Sequence, residues 1–236
     1  MGIKVNGLVA GYSRENPILN SLDLEAKAGR VTTIIGPNGA GKSTLLRTIF
    51  GYLKPMSGTI THYGANLDGI EPERMLSEGL AYLIQGRSVF PSMSVAENLE
   101  LGCWTIRHDR PRVKRALASA YEQYPRLAQK QKYPAGSLSG GEQRTLEIAR
   151  LTMTGPRTLL LDEPSVGLMP SLVEEVYQHI DLLKKANFTI LLVDQNIRKA
   201  LEVSDYVYVI QLGRNRDHGE AQNFNDRLPE LVKEWI

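Results

Sequence analysis

Only one cysteine, Cys103, occurs in the 236 residues. No disulfide can close within the chain, a cysteine-based zinc site is excluded, and a reducing compartment is expected. Long hydrophobic runs are also missing. Leu159–Leu161 and Ile190–Val193 are among the longest, and both fall far short of the ~20 residues that span a bilayer. Met1–Asn6 offers neither the apolar stretch nor the cleavage site of a secretion signal. After Gly2, Asn6 stands where a myristoylation motif wants Ser or Thr. No charge sign dominates, since 28 Lys and Arg face 26 Asp and Glu for a net of +2. The 12 Pro and 21 Gly keep no period and no repeat is visible, which excludes collagen-like, low-complexity and solenoid chains. With 42% hydrophobic and 23% charged residues, a folded, soluble cytoplasmic protein is expected. At ~150 residues per domain it forms one large domain or a core with a subdomain.

The chain opens with alternating apolar and polar residues, as in Ile3-Lys4-Val5-Asn6 and Leu22-Asp23-Leu24-Glu25, the pattern of half-exposed antiparallel strands. Val31–Ile35 breaks that alternation with a β-branched run suited to a strand buried on both faces. A glycine-rich turn and the apolar helix pattern Leu45, Leu46, Ile49, Phe50 follow. Two more buried-type strands, Leu159–Leu161 and Thr189–Val193, flank a helical stretch near Leu172–Lys185. Strands alternating with helices predict a parallel sheet covered by helices. Tyr206–Ile210 followed by Gly213-Arg214 predicts a strand entering a hairpin. Residues 91–150 read instead as helix-rich. Within them Arg107–Lys132 carries eight Lys and Arg against Asp109 and Glu122, a net of +6 that leaves −4 for the rest. A solvated helical face accounts for this first; attraction to anionic headgroups or an acidic partner comes second. Nucleic acid ranks third, because no nucleic-acid module surrounds the run, and it is not expected as a partner.

Three motifs carry the chemistry. Gly36-Pro37-Asn38-Gly39-Ala40-Gly41-Lys42-Ser43 matches G-x-x-x-x-G-K-[ST] and lies between a buried strand and an apolar helix. Its glycines let backbone N–H groups close around a phosphate at the positive end of the helix. Lys42 is placed to reach the β- and γ-phosphates, Thr44 belongs to the same phosphate-binding turn, and the Ser43 hydroxyl is placed to ligate Mg2+. Leu159-Leu160-Leu161-Asp162-Glu163-Pro164 supplies the strand-end acids: Asp162 to hold Mg2+ through water, and Glu163 as the base that orients the attacking water. Leu138-Ser139-Gly140-Gly141-Glu142-Gln143 is a second glycine turn entering a helix, hence a second anion cradle or simply a good cap. Two cradles and one nucleotide loop suggest a head-to-tail dimer, with Ser139 and Gly141 of one copy on the γ-phosphate held by the other.

On these motifs the chain resembles the ATP-binding subunit of an ABC transporter over essentially its whole length. The resemblance implies an α/β, RecA-like P-loop NTPase core with an antiparallel β subdomain and a helical ABC-specific subdomain. It predicts a single nucleotide-binding domain over 1–236, with core 1–90 and 151–236 and helical part near 91–150. Tyr12 is similar to the aromatic that stacks on adenine, and Gln85 to the glutamine that sits near Mg2+ and the attacking water and senses the membrane subunit. Ser165-Val166-Gly167-Leu168 is similar to the loop that crosses the dimer interface. Gln85–Pro91, Glu163–Leu168 and Val193-Asp194-Gln195-Asn196 most resemble the second ATPase of bacterial importers for branched-chain amino acids and related hydrophobic or amide substrates. The implied partners are ATP with Mg2+, transmembrane permease subunits, a second copy or a sister ATPase, and indirectly a periplasmic binding protein. The implied location is the inner face of the cell membrane.

Several positions depart from that pattern. Gln195 stands where most such ATPases place a switch histidine; an amide can hydrogen-bond a γ-phosphate oxygen but cannot carry a proton. Gln195 is therefore expected to position rather than titrate, in a site that hydrolyses weakly. Ile84 replaces the usual proline before Gln85, and Thr145 and Glu147 after the signature are unusual. His62, His108, His179 and His218 have no metal-site spacing and are read as surface or core residues. Cys103-Trp104 is read as packing. About twenty residues follow the final hairpin, too few for the regulatory domain of some sugar-importer ATPases. The competing function is a soluble ABC ATPase acting in DNA repair or translation, but the coiled-coil insertions, zinc cysteines or second nucleotide motif of such proteins are missing. A GTPase is weaker still, because no Asn-Lys-x-Asp segment reads guanine.

Overall fold

The computed structural model describes residues 2–86 and 88–227. Arg87, within the Gln85–Pro91 segment, lies outside the described residues, as do Met1 and 228–236. The chain runs β1 (Ile3–Ala10), β2 (Leu19–Ala26), β3 (Val31–Ile35), α1 (Lys42–Ile49), β4 (Ser57–His62), β5 (Ala65–Asn66), α2 (Pro72–Met75) and β6 (Leu80–Leu83). Four helices follow: α3 (Val95–Gly102), α4 (Arg110–Gln123), α5 (Pro125–Gln129) and α6 (Gly140–Thr152). Strand and helix then alternate through β7 (Thr158–Asp162), α7 (Pro170–Lys185), β8 (Thr189–Val193) and α8 (Ile197–Val203), ending in the hairpin β9 (Tyr206–Gln211) and β10 (Arg214–Glu220).

Two sheets result. The first is antiparallel, in the order β2-β1-β4-β5, and its alternation buries Ile3, Val5, Leu8 and Ala10 on β1 against Leu19, Leu22, Leu24 and Ala26 on β2. The second has the order β10-β9-β3-β8-β7-β6, parallel from β9 to β6 with β10 antiparallel at one edge. Strands β3, β7 and β8 are buried at every position, as helices or a second sheet on both faces require. Side chains of β7 and β8 divide by alternation. Leu160, Leu191 and Val193 join α1 and the antiparallel sheet in one core, while Leu159, Leu161, Ile190 and Leu192 pack on Val176, Ile180 and Leu183 of α7. Shortening one of these, such as Leu160→Ala, would cost about 2–5 kcal/mol.

Helices α3–α6 enclose a core of their own, with Val95, Leu99, Tyr124, Leu127, Leu146 and Ala149 at its centre. Backbone bonds from Val95 to Tyr133 (3.0 Å), Ala96 to Gln131 (2.9 Å) and Ala135 to Met93 (2.8 Å) tie the two ends of this helical region together. Buried Asn98 holds the approach to α3, accepting from the Phe90 N–H (2.9 Å) and donating to the carbonyls of Phe90 and Ser94 (3.0 Å each). Arg107, Arg110, Arg112, Lys114, Arg115, Arg126 and Lys132 are exposed, while Lys130 is half-buried against Glu142 at 2.6 Å. Trp104 corrects the sequence reading. Cys103 packs inside, but Trp104 is 59% exposed, with the Arg107 guanidinium 4.4 Å from its ring centroid. Successive residues of a helical turn point in directions ~100° apart, so a turn that buries Cys103 can leave Trp104 outside. Among the described residues no helix is long and apolar enough to cross a membrane.

Candidate active site

The loop between β3 and α1 forms because two of its glycines meet close neighbours in a left-handed backbone. Gly36 has φ +154°, and a Cβ there would stand 2.1 Å from the Ile210 carbonyl oxygen on neighbouring β9. Gly41, the N-cap of α1, has φ +103°, with Leu19 Cδ2 2.7 Å from where a Cβ would be. The loop is pinned from outside by the Gly213 N–H on the Ala40 carbonyl (3.0 Å). It opens on a cleft of about 180 Å3 lined by Ile18, Asn38, Gly39, Gly41, Lys42, Ser43, Thr44 and Glu163. Gly36 and Ala40 do not line it; the Ala40 side chain is buried in the core. Lys42 folds across the loop and donates to the carbonyls of Gly36 (2.8 Å) and Pro37 (2.9 Å). Burial pushes its ammonium below the ordinary lysine range, while the Glu163 and Asp162 carboxylates pull the other way.

The parallel order of the second sheet brings four strand ends to this loop: those of β3, β6, β7 and β8. Ligands of such sheets bind at the carboxyl ends of the strands. Asp162, the last residue of β7, is fully buried. It accepts from Ser43 Oγ on one oxygen and from Tyr82 Oη on the other, each at 2.9 Å. Burial raises its pKa, opposed by those two hydrogen bonds. At Glu163 the backbone turns left-handed, φ +50°, and its N–H donates to the Val193 carbonyl (2.7 Å). A non-glycine residue so placed is uncommon, and the turn delivers the Glu163 side chain to the cleft. Glu163 Oε2 accepts from Gln85 Nε2, beyond β6, at 2.6 Å and from Gln195 Nε2, beyond β8, at 3.0 Å. Six predicted residues thus meet: Lys42, Ser43, Gln85, Asp162, Glu163 and Gln195.

Other predicted residues stand apart from the cleft. Ser139 caps α6, accepting from the Glu142 N–H (3.3 Å) while the Glu142 carboxylate accepts from the Ser139 N–H (3.0 Å). Gly140 and Gly141 face Leu168 and Leu172, so the signature turn packs on the segment beyond Glu163. Tyr12 is 60% exposed, and its hydroxyl accepts from Arg47 Nη1 of α1 (2.7 Å), leaving the ring open to solvent.

Two neighbours escaped the sequence reading. Tyr82 fixes Asp162 from an adjacent strand, and its position three before Gln85 on β6 was the available clue. Buried Asp194 accepts from the Ser165 N–H (3.1 Å), Ser165 Oγ (2.8 Å) and the Asn196 N–H (3.0 Å), joining the loop after Glu163 to the turn that carries Gln195. An aspartate before Gln195 has no local signal of that role.

The ABC transporter family model matches residues 19–166. The high-affinity branched-chain amino acid transport ATP-binding protein BraG of Pseudomonas aeruginosa is 38% identical over 222 residues, 93% of this chain and 94% of its own. A probable branched-chain amino acid transport ATP-binding protein, LivF of Archaeoglobus fulgidus, is 38% identical over 93% of this chain and 91% of its own. Among solved structures, a nucleotide-free ATP-binding cassette from an ABC transporter superposes with a TM-score of 0.85 at 27% identity, covering 100% of this chain and 98% of that one. The chain belongs to the ABC transporter family, as one of its ATPase subunits.

Proposed function

We propose that this chain is the ATP-hydrolysing motor of an importer for branched-chain or other hydrophobic amino acids or related amides, working on a separate membrane permease. The carrying observation is the convergence of Gln85 and Gln195 on one oxygen of Glu163, beside Lys42 and the Ser43–Asp162 pair. Support for the solute class comes from the relatives, whose names specify branched-chain amino acid transport. The proposed unit is a single nucleotide-binding domain, with residues 1–90 and 151–236 as core and 91–150 as helical part.

On entry, ATP offers Lys42 phosphate oxygens in place of the Gly36 and Pro37 carbonyls, and backbone N–H groups of Gly39–Thr44 surround the β- and γ-phosphates. Tyr12 supplies an open ring for the adenine. Ser43, Asp162 and Gln85 present only oxygen ligands from hydroxyl, carboxylate and amide groups, a donor set that suits Mg2+. When bound there, the ion would neutralise charge on the phosphates. Glu163 takes the proton of the attacking water, with its carboxylate aimed by the two amides. Gln195 donates to a γ-phosphate oxygen.

Ser139, Gly140 and Gly141 do not line their own cleft, so they are assigned to the γ-phosphate of a second copy or a sister ATPase. Each γ-phosphate is then gripped from two chains, and its loss removes the differential contact that favours closure. That motion would drive the permease at the inner membrane face, with a periplasmic binding protein supplying solute on the far side.

Replacing Glu163 by Gln keeps the shape of the site and removes the base. Hydrolysis is expected to fall by about 100-fold or more with ATP affinity retained; wild-type turnover in Glu163→Gln would overturn the assignment.

A further inference from the structure

Gln85 is exposed, as are Ile84 and Gly86, and Gly86 has φ +91°. Packing at these residues therefore does not fix the reach of the Gln85 amide to Glu163. One anchor lies upstream in β6. The other lies three residues downstream at Ser88, and it comes from the signature helix α6.

Glu147, 2% exposed, accepts the Ser88 N–H on Oε1 and Arg144 Nη1 on Oε2, the latter at 2.7 Å. Arg150, one turn further along α6, donates from Nη2 to both the carbonyl and the hydroxyl of Ser88, each at 2.8 Å. Its guanidinium also sits 5.5 Å from the Phe90 ring centroid. Ser88 is thus held through its N–H, C=O and side chain by a single helix. That helix begins at Ser139, whose turn is assigned to the γ-phosphate of the partner chain. Burying an ion pair such as Arg144–Glu147 is costly in desolvation, and apolar residues of similar size would stabilise a helix core at least as well. Its polar acceptor toward Ser88 is what an apolar pair could not supply.

We propose that Glu147, held in place by Arg144, is a positioning residue for Gln85. By gripping Ser88 it ties the chain just past Gln85 to the signature helix, so that engagement of the signature turn by a second chain is transmitted to the amide on Glu163. This rests on the reading above that Gln85 takes part in hydrolysis.

The test compares Arg144→Met/Glu147→Leu, which removes the charges together and with them the acceptor, against Arg144→Met/Glu147→Gln, which restores an acceptor without the charge. Steady-state hydrolysis and ATP affinity are measured on the full chain, each pair also in a Gln85→Ala background. The Leu version is expected to lose about tenfold in kcat with affinity within about twofold, and the Gln version to recover most of it. Neither pair should lower kcat further once Gln85 is Ala. If the Leu version does not fold, Arg150→Leu, which frees the carbonyl and hydroxyl of Ser88, carries the same expectation. Wild-type kcat in the Leu version while Gln85→Ala is slowed but still measurable overturns the clamp alone, and so does a loss of equal size in both backgrounds. Full activity of Gln85→Ala overturns the role of Gln85 and the clamp with it.

Discussion

Gln195 Nε2 lies 3.0 Å from Glu163 Oε2, the same oxygen that accepts Gln85 at 2.6 Å. An amide here can donate to the carboxylate or to a phosphate oxygen, but it cannot gain a proton during the reaction. Gln195→His should therefore hydrolyse ATP faster than the native chain, and Gln195→Ala about tenfold slower. Rates measured at saturating ATP decide the point. A native chain at least as fast as Gln195→His would end the idea that the glutamine marks a weak site.

Tyr82→Phe removes one of the two hydrogen bonds that oppose the upward push of burial on Asp162. Leaving that oxygen unpaired should destabilise the fold by about 1–3 kcal/mol. The Asp162 pKa should also rise further, so protonation would disable the site at a higher pH than in the native chain. The expected sign is a shift of the acid limb of the hydrolysis profile toward neutrality. An unmoved acid limb would show that Tyr82 does not act on Asp162.

His62 is buried on β4, bonded to Thr158 Oγ1 at 2.9 Å. Burial first, then the nearby Arg157 charge, lowers its pKa from 6.5 to about 4. The unfolded chain then binds more protons than the folded one between those values, so stability rises with pH across that window. The contribution is complete above pH 6.5 and is lost as pH falls toward 4. Unfolding free energies from urea melts of the native chain should drop more steeply over that range than those of His62→Gln, by about 3 kcal/mol in total. Parallel curves would exclude His62 as the cause.

Much of the site was legible because it is local. Val31–Ile35, Leu159–Asp162 and Thr189–Val193 announce buried strands by composition, and all three are buried throughout. Parallel pairing then obliges the residues after each strand to meet, which is why Lys42, Asp162, Glu163 and Gln195 share one cleft mouth. The illegible part is non-local. Ser88 and Glu147 lie 59 positions apart, and Tyr82 and Asp162 lie 80 apart; no period or spacing in the chain links either pair. Nothing in the sequence places Ser88 and Arg144 on the two oxygens of Glu147. Trp104 failed for a different reason: hydrophobic character gave no direction, and the turn that buries Cys103 sends its neighbour outward.

A composite site closed by nucleotide between two chains, with Glu163 as the base, is read out by sizing Glu163→Gln with and without ATP and Mg2+. The expected result is a shift from monomer to dimer that requires ATP and that Ser139→Arg abolishes. A chain that stays monomeric with ATP demonstrably bound contradicts closure between identical copies and leaves a sister ATPase as the partner to add.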